Sequence, residues 1–415
     1  MPDPAAPQGR WAALALIAVA QIGAMSTWFS AAAVAPSLAR EWHLTAAAVA
    51  LLTVAVQVGF VAGALASAIT GIADIVSTRA VFVVSALAAA AANALLPATA
   101  GDLRVAIPLR LVLGGCLAGV YPTGMKLMTG WFRQGRGFAI GVLVGALTLG
   151  SASPHLIAGI GLSGAFAWQT VIVVTSLGAV ASAAIVAGFA RSGPFEAPSA
   201  RLDLGWALRS LRDPAIRLAN LGYFGHMWEL YAMWTWIPAF LFASYLASGV
   251  GGGTGAAAGR LASMAAATVI GLGAFGCVAA GLLADRVGRT VITATAMAIS
   301  GSCAVLTGLL FASPPLLVTV IAVVWGVSVI ADSAQFSASI SELAEPHRVG
   351  SALALQTALG FLLTAVSIQV LPFVLRVGGW SAAFTTLAIG PALGMVAMLR
   401  LRTRPEAARL AGGRR

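Results

Sequence analysis

Leu218–Leu241 reads LANLGYFGHMWELYAMWTWIPAFL. It is apolar and long enough to cross a bilayer, since about 20 helical residues at ~1.5 Å each span the hydrocarbon core. Near its middle it carries His226 and Glu229. At a spacing of i, i+3 the two share a helical face, and Gly222, Met233 and Trp236 fall close to it. A carboxylate at that depth is costly and belongs against a protein interior or a water-filled cavity. The rest of the chain is expected to build that cavity.

Composition agrees. The 415 residues are 60% hydrophobic and 9% charged, with a mean hydropathy of +0.94. A soluble domain carries roughly 25% charged residues, so this is the composition of an integral membrane protein. The formal net charge is +11, but the basic residues stand singly between apolar runs. Without a basic stripe interleaved with aromatics, no nucleic-acid partner is expected. Cys116, Cys277 and Cys303 lie inside apolar segments as small buried hydrophobes, and their spacing fits neither a zinc site nor a disulfide framework. Trp11–Phe29 followed by Ala33-Val34-Ala35 imitates a signal peptide. The run exceeds the roughly 7–15 residues of a cleaved apolar region and Pro36 follows the small residues, so a retained first span is expected.

Working outward from the opening stretch, runs of spanning length lie near Trp11–Pro36, Ala47–Ile72, Ala80–Leu96, Leu103–Met128, Phe138–Leu162 and Trp168–Ala190. A polar segment, Arg191–Arg217, interrupts them, with Asp203 placed to start a short interfacial helix. Further runs lie near Leu218–Leu246, Leu261–Ala284, Val291–Phe311, Leu316–Ile340, Ser351–Leu375 and Ala382–Leu399. The Gly-rich Ser248–Gly259 reads as a flexible loop. Alternate loops hold Arg10, Arg79, Arg133, Arg136, the arginines of the central segment, Arg286, Arg289, Arg348 and the basic C-terminal residues; the opposite side has Arg40, Arg104, Arg260 and Arg376. By the positive-inside rule both termini and the central loop are cytoplasmic, which requires an even number of spans. The expected fold is all-α and twelve-spanning: a six-helix half over 1–190, a central loop over 191–217 and a second half over 218–415.

After the eighth span the chain reads Gly281-Leu282-Leu283-Ala284-Asp285-Arg286-Val287-Gly288-Arg289. A glycine permits the tight turn, an acid sits near a helix end and arginines meet the anionic leaflet. The segment resembles the signature loop of the major facilitator superfamily, G-x-x-x-D-R-x-G-R. A worn copy, Thr70 to Arg79 with Asp74 retained, stands about half a chain earlier, as an internal duplication predicts. The resemblance implies the two-half fold, alternating access, and gating by these loops through Asp74, Arg79, Gly281, Asp285, Arg286, Gly288 and Arg289.

The fourth span opens with Arg110 followed by Gly114, Gly115 and Gly119, and Tyr121 returns to the Arg110 face. In the superfamily such an arginine is linked to proton transfer; the alternative is an arginine snorkelling from a helix end. The fifth span, with Gly141, Gly145, Gly150, Pro154 and His155, resembles the Gly/Pro helix of antiporter members. In the tenth, Asp332 shares helical spacing with Trp325, Ser328, Gln335 and Ser339. Gln21, Met25 and Trp28 make a comparable stripe in the first span, and Thr53 and Gln57 in the second. The resemblance places the cavity among the first, fourth, seventh and tenth helices, where Trp28, Arg110, Glu229 and Asp332 fall. Proton coupling is therefore expected of Glu229, His226, Asp332 and Arg110. Substrate contact is expected of Gln21, Trp28, Gln57, Tyr121, Met233, Trp236, Trp325 and Gln335.

Two Gly-x-Gly-x-x-Gly matches, at Gly159 and Gly271, follow no strand, and neither a phosphate loop nor an H-E-x-x-H is present. No enzyme, cofactor or metal is expected. The reading is a monomeric secondary transporter for a small organic solute, seated in the lipid bilayer of a cell membrane (the bacterial inner membrane in particular) and coupled to protons. The alternatives are an uncoupled facilitator, or a sensor or assembly subunit on a transporter fold.

Overall fold

A computed structural model describes residues 9–132, 136–161, 168–196, 202–253 and 255–414. All regular elements among them are helices. Nine are long and apolar enough to cross a membrane, and Arg10–Met25 and Thr78–Ala94 are shorter apolar helices. The longest, Val349–Arg402, has 54 residues and a non-helical corner at Gly379, φ 68°. At ~1.5 Å per residue it is more than twice a bilayer core, so it is two crossings, 349–378 and 380–402. Counting it twice and adding the two shorter helices brings nine to twelve. The chain is a twelve-helix membrane protein.

The other crossings are Ala46–Thr70, Leu103–Thr129, Arg136–Gly161 and Trp168–Phe189 in the first half. In the second half they are Pro214–Ala247, the pair Gly255–Gly271 and Gly273–Val287, Arg289–Leu309, and the pair Pro315–Ala331 and Ser333–Leu343. The first crossing is broken: Arg10–Met25 gives way to short helices Ser30–Ala33 and Ala35–Glu41. Its hydroxyls explain the break. Ser26, Thr27 and Ser30 donate to the carbonyls of Gly23, Ala24 and Thr27 at 2.7–2.9 Å, competing with the backbone ladder.

Close packing within each half rests on glycine. A Cβ on Gly59 would stand 2.0 Å from the Leu111 carbonyl oxygen, and one on Gly326 2.0 Å from that of Val269. Without hydrophobic drive between helices in lipid, such backbone approach supplies the dispersion contacts. Between the halves, the fifth crossing packs along both parts of the eighth, Gly145 facing Ala274 and Gly159 facing Met264. The second packs on the eleventh, where Gln369 Nε2 donates to the Ala47 carbonyl at 3.4 Å.

Three boundaries differ from the sequence reading. The Gly-rich stretch expected to be loop through Gly259 is helical from Gly255, because Ala256–Ala258 are strong helix formers. The seventh crossing begins at Pro214, capped by Asp213 Oδ1, which accepts from the Ala215 and Ile216 amides. The signature segment is scarcely a loop: Gly281, Asp285 and Arg286 lie in the helix ending at Val287, and Gly288, φ 110°, is the whole corner. The short helix Leu204–Ser210 is present, its N-cap Asp203 accepting from Trp206 N at 2.8 Å. It docks on the eleventh crossing, Asp203 N donating to Ser351 Oγ at 2.9 Å and Asp203 pairing with Arg348 at 3.2 Å.

Candidate functional site

Glu229 is buried in the second half. Its Oε2 accepts from Ser300 Oγ and its Oε1 from Trp325 Nε1, both at 2.8 Å, so one carboxylate joins the seventh, ninth and tenth crossings. Among the described residues no cation stands within ion-pair distance of it. One turn earlier, His226 Nδ1 approaches Asp332 Oδ1 at 2.8 Å, an ion-pair contact without aligned hydrogen-bond geometry. Asp332 lies at the junction between the two helices of the tenth crossing. His226 Nε2 has no hydrogen-bond partner among the described residues.

The face carrying these acids looks into its own half. Gly222 packs on Met398 and Phe336, and Trp236 Nε1 donates to the Ile368 carbonyl at 3.1 Å while its ring meets Trp380. Met233 is fully buried. A neighbouring face of the same helix, bearing Tyr231 and Trp234, meets the first half instead. Tyr231 lies 5.8 Å from Trp28 and 5.0 Å from Phe361 between ring centroids. Phe60 lies 5.0 Å from Trp28 and 4.7 Å from Phe361, and Phe29 stacks on Tyr231 and meets Trp234 edge-on. This aromatic plug draws on the first, second, seventh and eleventh crossings, two from each half. Of its members only Trp28 was expected from sequence; the others are aromatics in apolar helices, which a sequence cannot distinguish from ordinary packing.

In the first half, Arg110 is fully buried, and among the described residues no acid stands within ion-pair distance of it. Its Nη2 donates to the Trp28 carbonyl at 2.9 Å, its Nη1 to Ser30 Oγ at 3.1 Å and Asn93 Oδ1 at 3.0 Å, and its Nε to the Leu52 carbonyl at 3.3 Å. Asn93 Nδ2 continues the network to Ile172, Thr175 and Ser176 in the sixth crossing. The Trp28 carbonyl is available because the first helix breaks there. Asn93 carried no sequence signal beyond being a buried amide.

Three glutamines share one property. Gln21 and Gln57, expected at the site, and Gln356, which was not, are buried with both amide atoms unpartnered among the described residues. Tyr121 is half-buried against the core. Gln335 Oε1 accepts from Arg289 Nη1 at 2.8 Å, so the structure places it with the signature corner. There Arg289 also forks onto Glu342 at 2.6 and 2.8 Å and approaches Asp285 at 3.5 Å. The C-terminal turn Pro405–Gly413 closes over this network: Ala411 N donates to Glu342 Oε2 at 2.9 Å and Arg414 Nη1 to the Asp285 carbonyl at 2.6 Å. Arg286 is exposed, and open space surrounds Gly281. In the worn copy Arg79 bonds the Ala187 carbonyl, while the Asp74 side chain lies outside the described residues.

Residues 17–330 match the Major Facilitator Superfamily, and the chain belongs to that family of membrane transporters. No curated protein matches the sequence significantly.

Proposed function

We propose that the chain is a proton-coupled transporter of a small organic solute, working by alternating access, with Glu229 as the coupling acid. The observation that carries this reading is a buried carboxylate held by two neutral donors. At mid-membrane an ionised acid costs roughly 2.5–3.5 kcal/mol on translocon scales. Ser300 and Trp325 donate to both oxygens without neutralising them, so one geometry serves the group with its proton and without it. His226, one turn nearer the chain termini on the seventh helix, and Asp332 of the tenth crossing form the second station.

Arg110 serves a different purpose. Its nitrogens are occupied by neutral acceptors, so it fixes the corner of the first helix that presents Trp28 and Phe29. The aromatic plug, near mid-length of the second, seventh and eleventh crossings, is the gate that closes the seam between the halves. The unpartnered amides of Gln21, Gln57 and Gln356 are where a solute's hydrogen bonds go, since buried polar groups rarely stay unsatisfied.

The test is Glu229→Gln in proteoliposomes, screened by counterflow. The amide keeps shape and hydrogen bonds but cannot titrate. Accumulation driven by a pH gradient should disappear while exchange persists. Wild-type accumulation in the variant would refute the assignment, and wild-type flux indifferent to the gradient would select an uncoupled facilitator.

A further inference from the structure

A cavity of about 810 Å³ opens at the seam between the halves, near the helix ends away from the termini. That falls within the roughly 300–1,000 Å³ of small-molecule sites. Its walls come from the first, fifth, sixth, seventh and eighth crossings, with Val34, Ile157, Val171 and Phe242 among them. Arg40 is the charged residue of the lining. The neighbouring acid is already engaged: Glu41 Oε2 accepts from Trp168 Nε1 at 2.5 Å, holding that indole as a wall, edge-on to Trp42. Arg40 is exposed, donates only through Nε to the Pro36 carbonyl, and has no acid within ion-pair distance among the described residues.

The lining is therefore graded. Arg40 stands where the first crossing ends, and the walls toward the membrane centre are apolar apart from the Ser263 hydroxyl. Ala33 and Pro238, at the deep end, each lie four residues beyond a plug aromatic, Phe29 and Trp234. From Gly255 to Ser263 the eighth helix rises about 12 Å along the pocket.

We infer that this seam pocket binds a single-chain amphiphile with an anionic head, taken from the membrane leaflet: the alkyl chain among Val34, Val171 and Phe242, the head on Arg40. Such a molecule reaches the aromatic gate from the side, which names a substrate class for the transporter. Only that last step rests on the transport reading; occupancy of the pocket does not.

The experiment uses the full chain in nanodiscs of phosphatidylcholine and a diazirine-bearing dodecanoate as probe. Label should concentrate on peptides of the first, sixth and eighth crossings. Unlabelled dodecanoate should compete and dodecyltrimethylammonium should not. Arg40→Gln should reduce labelling roughly fivefold, the worth of one interfacial arginine toward an anion, while leaving a dodecanol analogue unaffected. Ala256→Phe, at the mouth, should reduce both. Glu229→Gln should label as wild type, which separates this test from that of transport. Label spread evenly over lipid-facing helices, or equal competition by anion and cation, would overturn the assignment.

Discussion

At the scale of single residues, Arg110 and Glu229 show opposite solutions to a buried charge. Glu229 is held by two donors that leave its protonation free to change. Arg110 is held by four acceptors that only a planar, always-charged fork can satisfy together. Removing one partner from such a set leaves buried carbonyls unpaired, a cost on the order of 3 kcal/mol. Arg110→Leu should thus lower the apparent melting temperature by roughly 3 °C in detergent, read by intrinsic fluorescence. Arg110→Lys should recover little, because a compact ammonium cannot span Leu52, Trp28 and Asn93. Should either variant melt like wild type and lose only the pH dependence of transport, Arg110 belongs to the proton route after all. Trp325→Phe tests Glu229 from the other side. Losing the indole N–H frees one carboxyl oxygen, so the pH profile of transport should shift while substrate affinity stays near wild type.

At the scale of elements, the informative places are where helices break. Asp332 and Glu229 stood out in the sequence because an acid in an apolar run is costly unless it faces a protein interior or a cavity. The signature corner was legible because its glycine and charges occur at fixed offsets. What the sequence could not show is which way each face turns. Trp236 and Tyr231 sit on one helix at equally suggestive positions, yet Trp236 bonds the Ile368 carbonyl within its half and Tyr231 faces Trp28 across the seam. That outcome depends on the packing of the eleventh helix, which no local pattern encodes. The contact of the C-terminal turn with the signature corner was equally invisible, since Ala411 contributes a backbone amide and no side chain. Ending the chain at Thr403 removes that amide and the Arg414 contact. Hydrogen exchange around Ala284–Thr290 should then rise while the Glu229 region stays protected. Unchanged exchange at the corner would show that Arg289, Glu342 and Asp285 hold it without the turn.

At the scale of the whole molecule, two six-helix halves meet along two seams, the fifth helix on the eighth and the second on the eleventh, with the aromatic plug beside the latter. Alternating access requires at least one of these contacts to open. The contact between Phe60 and Phe361 is the one to test, because each ring comes from a different half and their centroids are 4.7 Å apart. Phe60→Cys combined with Phe361→Cys, on a background in which Cys116, Cys277 and Cys303 are replaced by Ala, places two thiols across the seam. If the plug is a gate, mild oxidation should stop transport and reduction should restore it. Each single-Cys protein should be insensitive to both treatments. A thiol reagent added on the side away from the termini should modify Phe361→Cys faster when substrate and a proton gradient are both supplied, since cycling exposes the seam. Full transport by a cross-linked pair, confirmed by mass spectrometry of the joined peptides, would mean that Phe60 and Phe361 never part. The plug would then be static packing, and the moving gate would have to lie along the fifth and eighth helices.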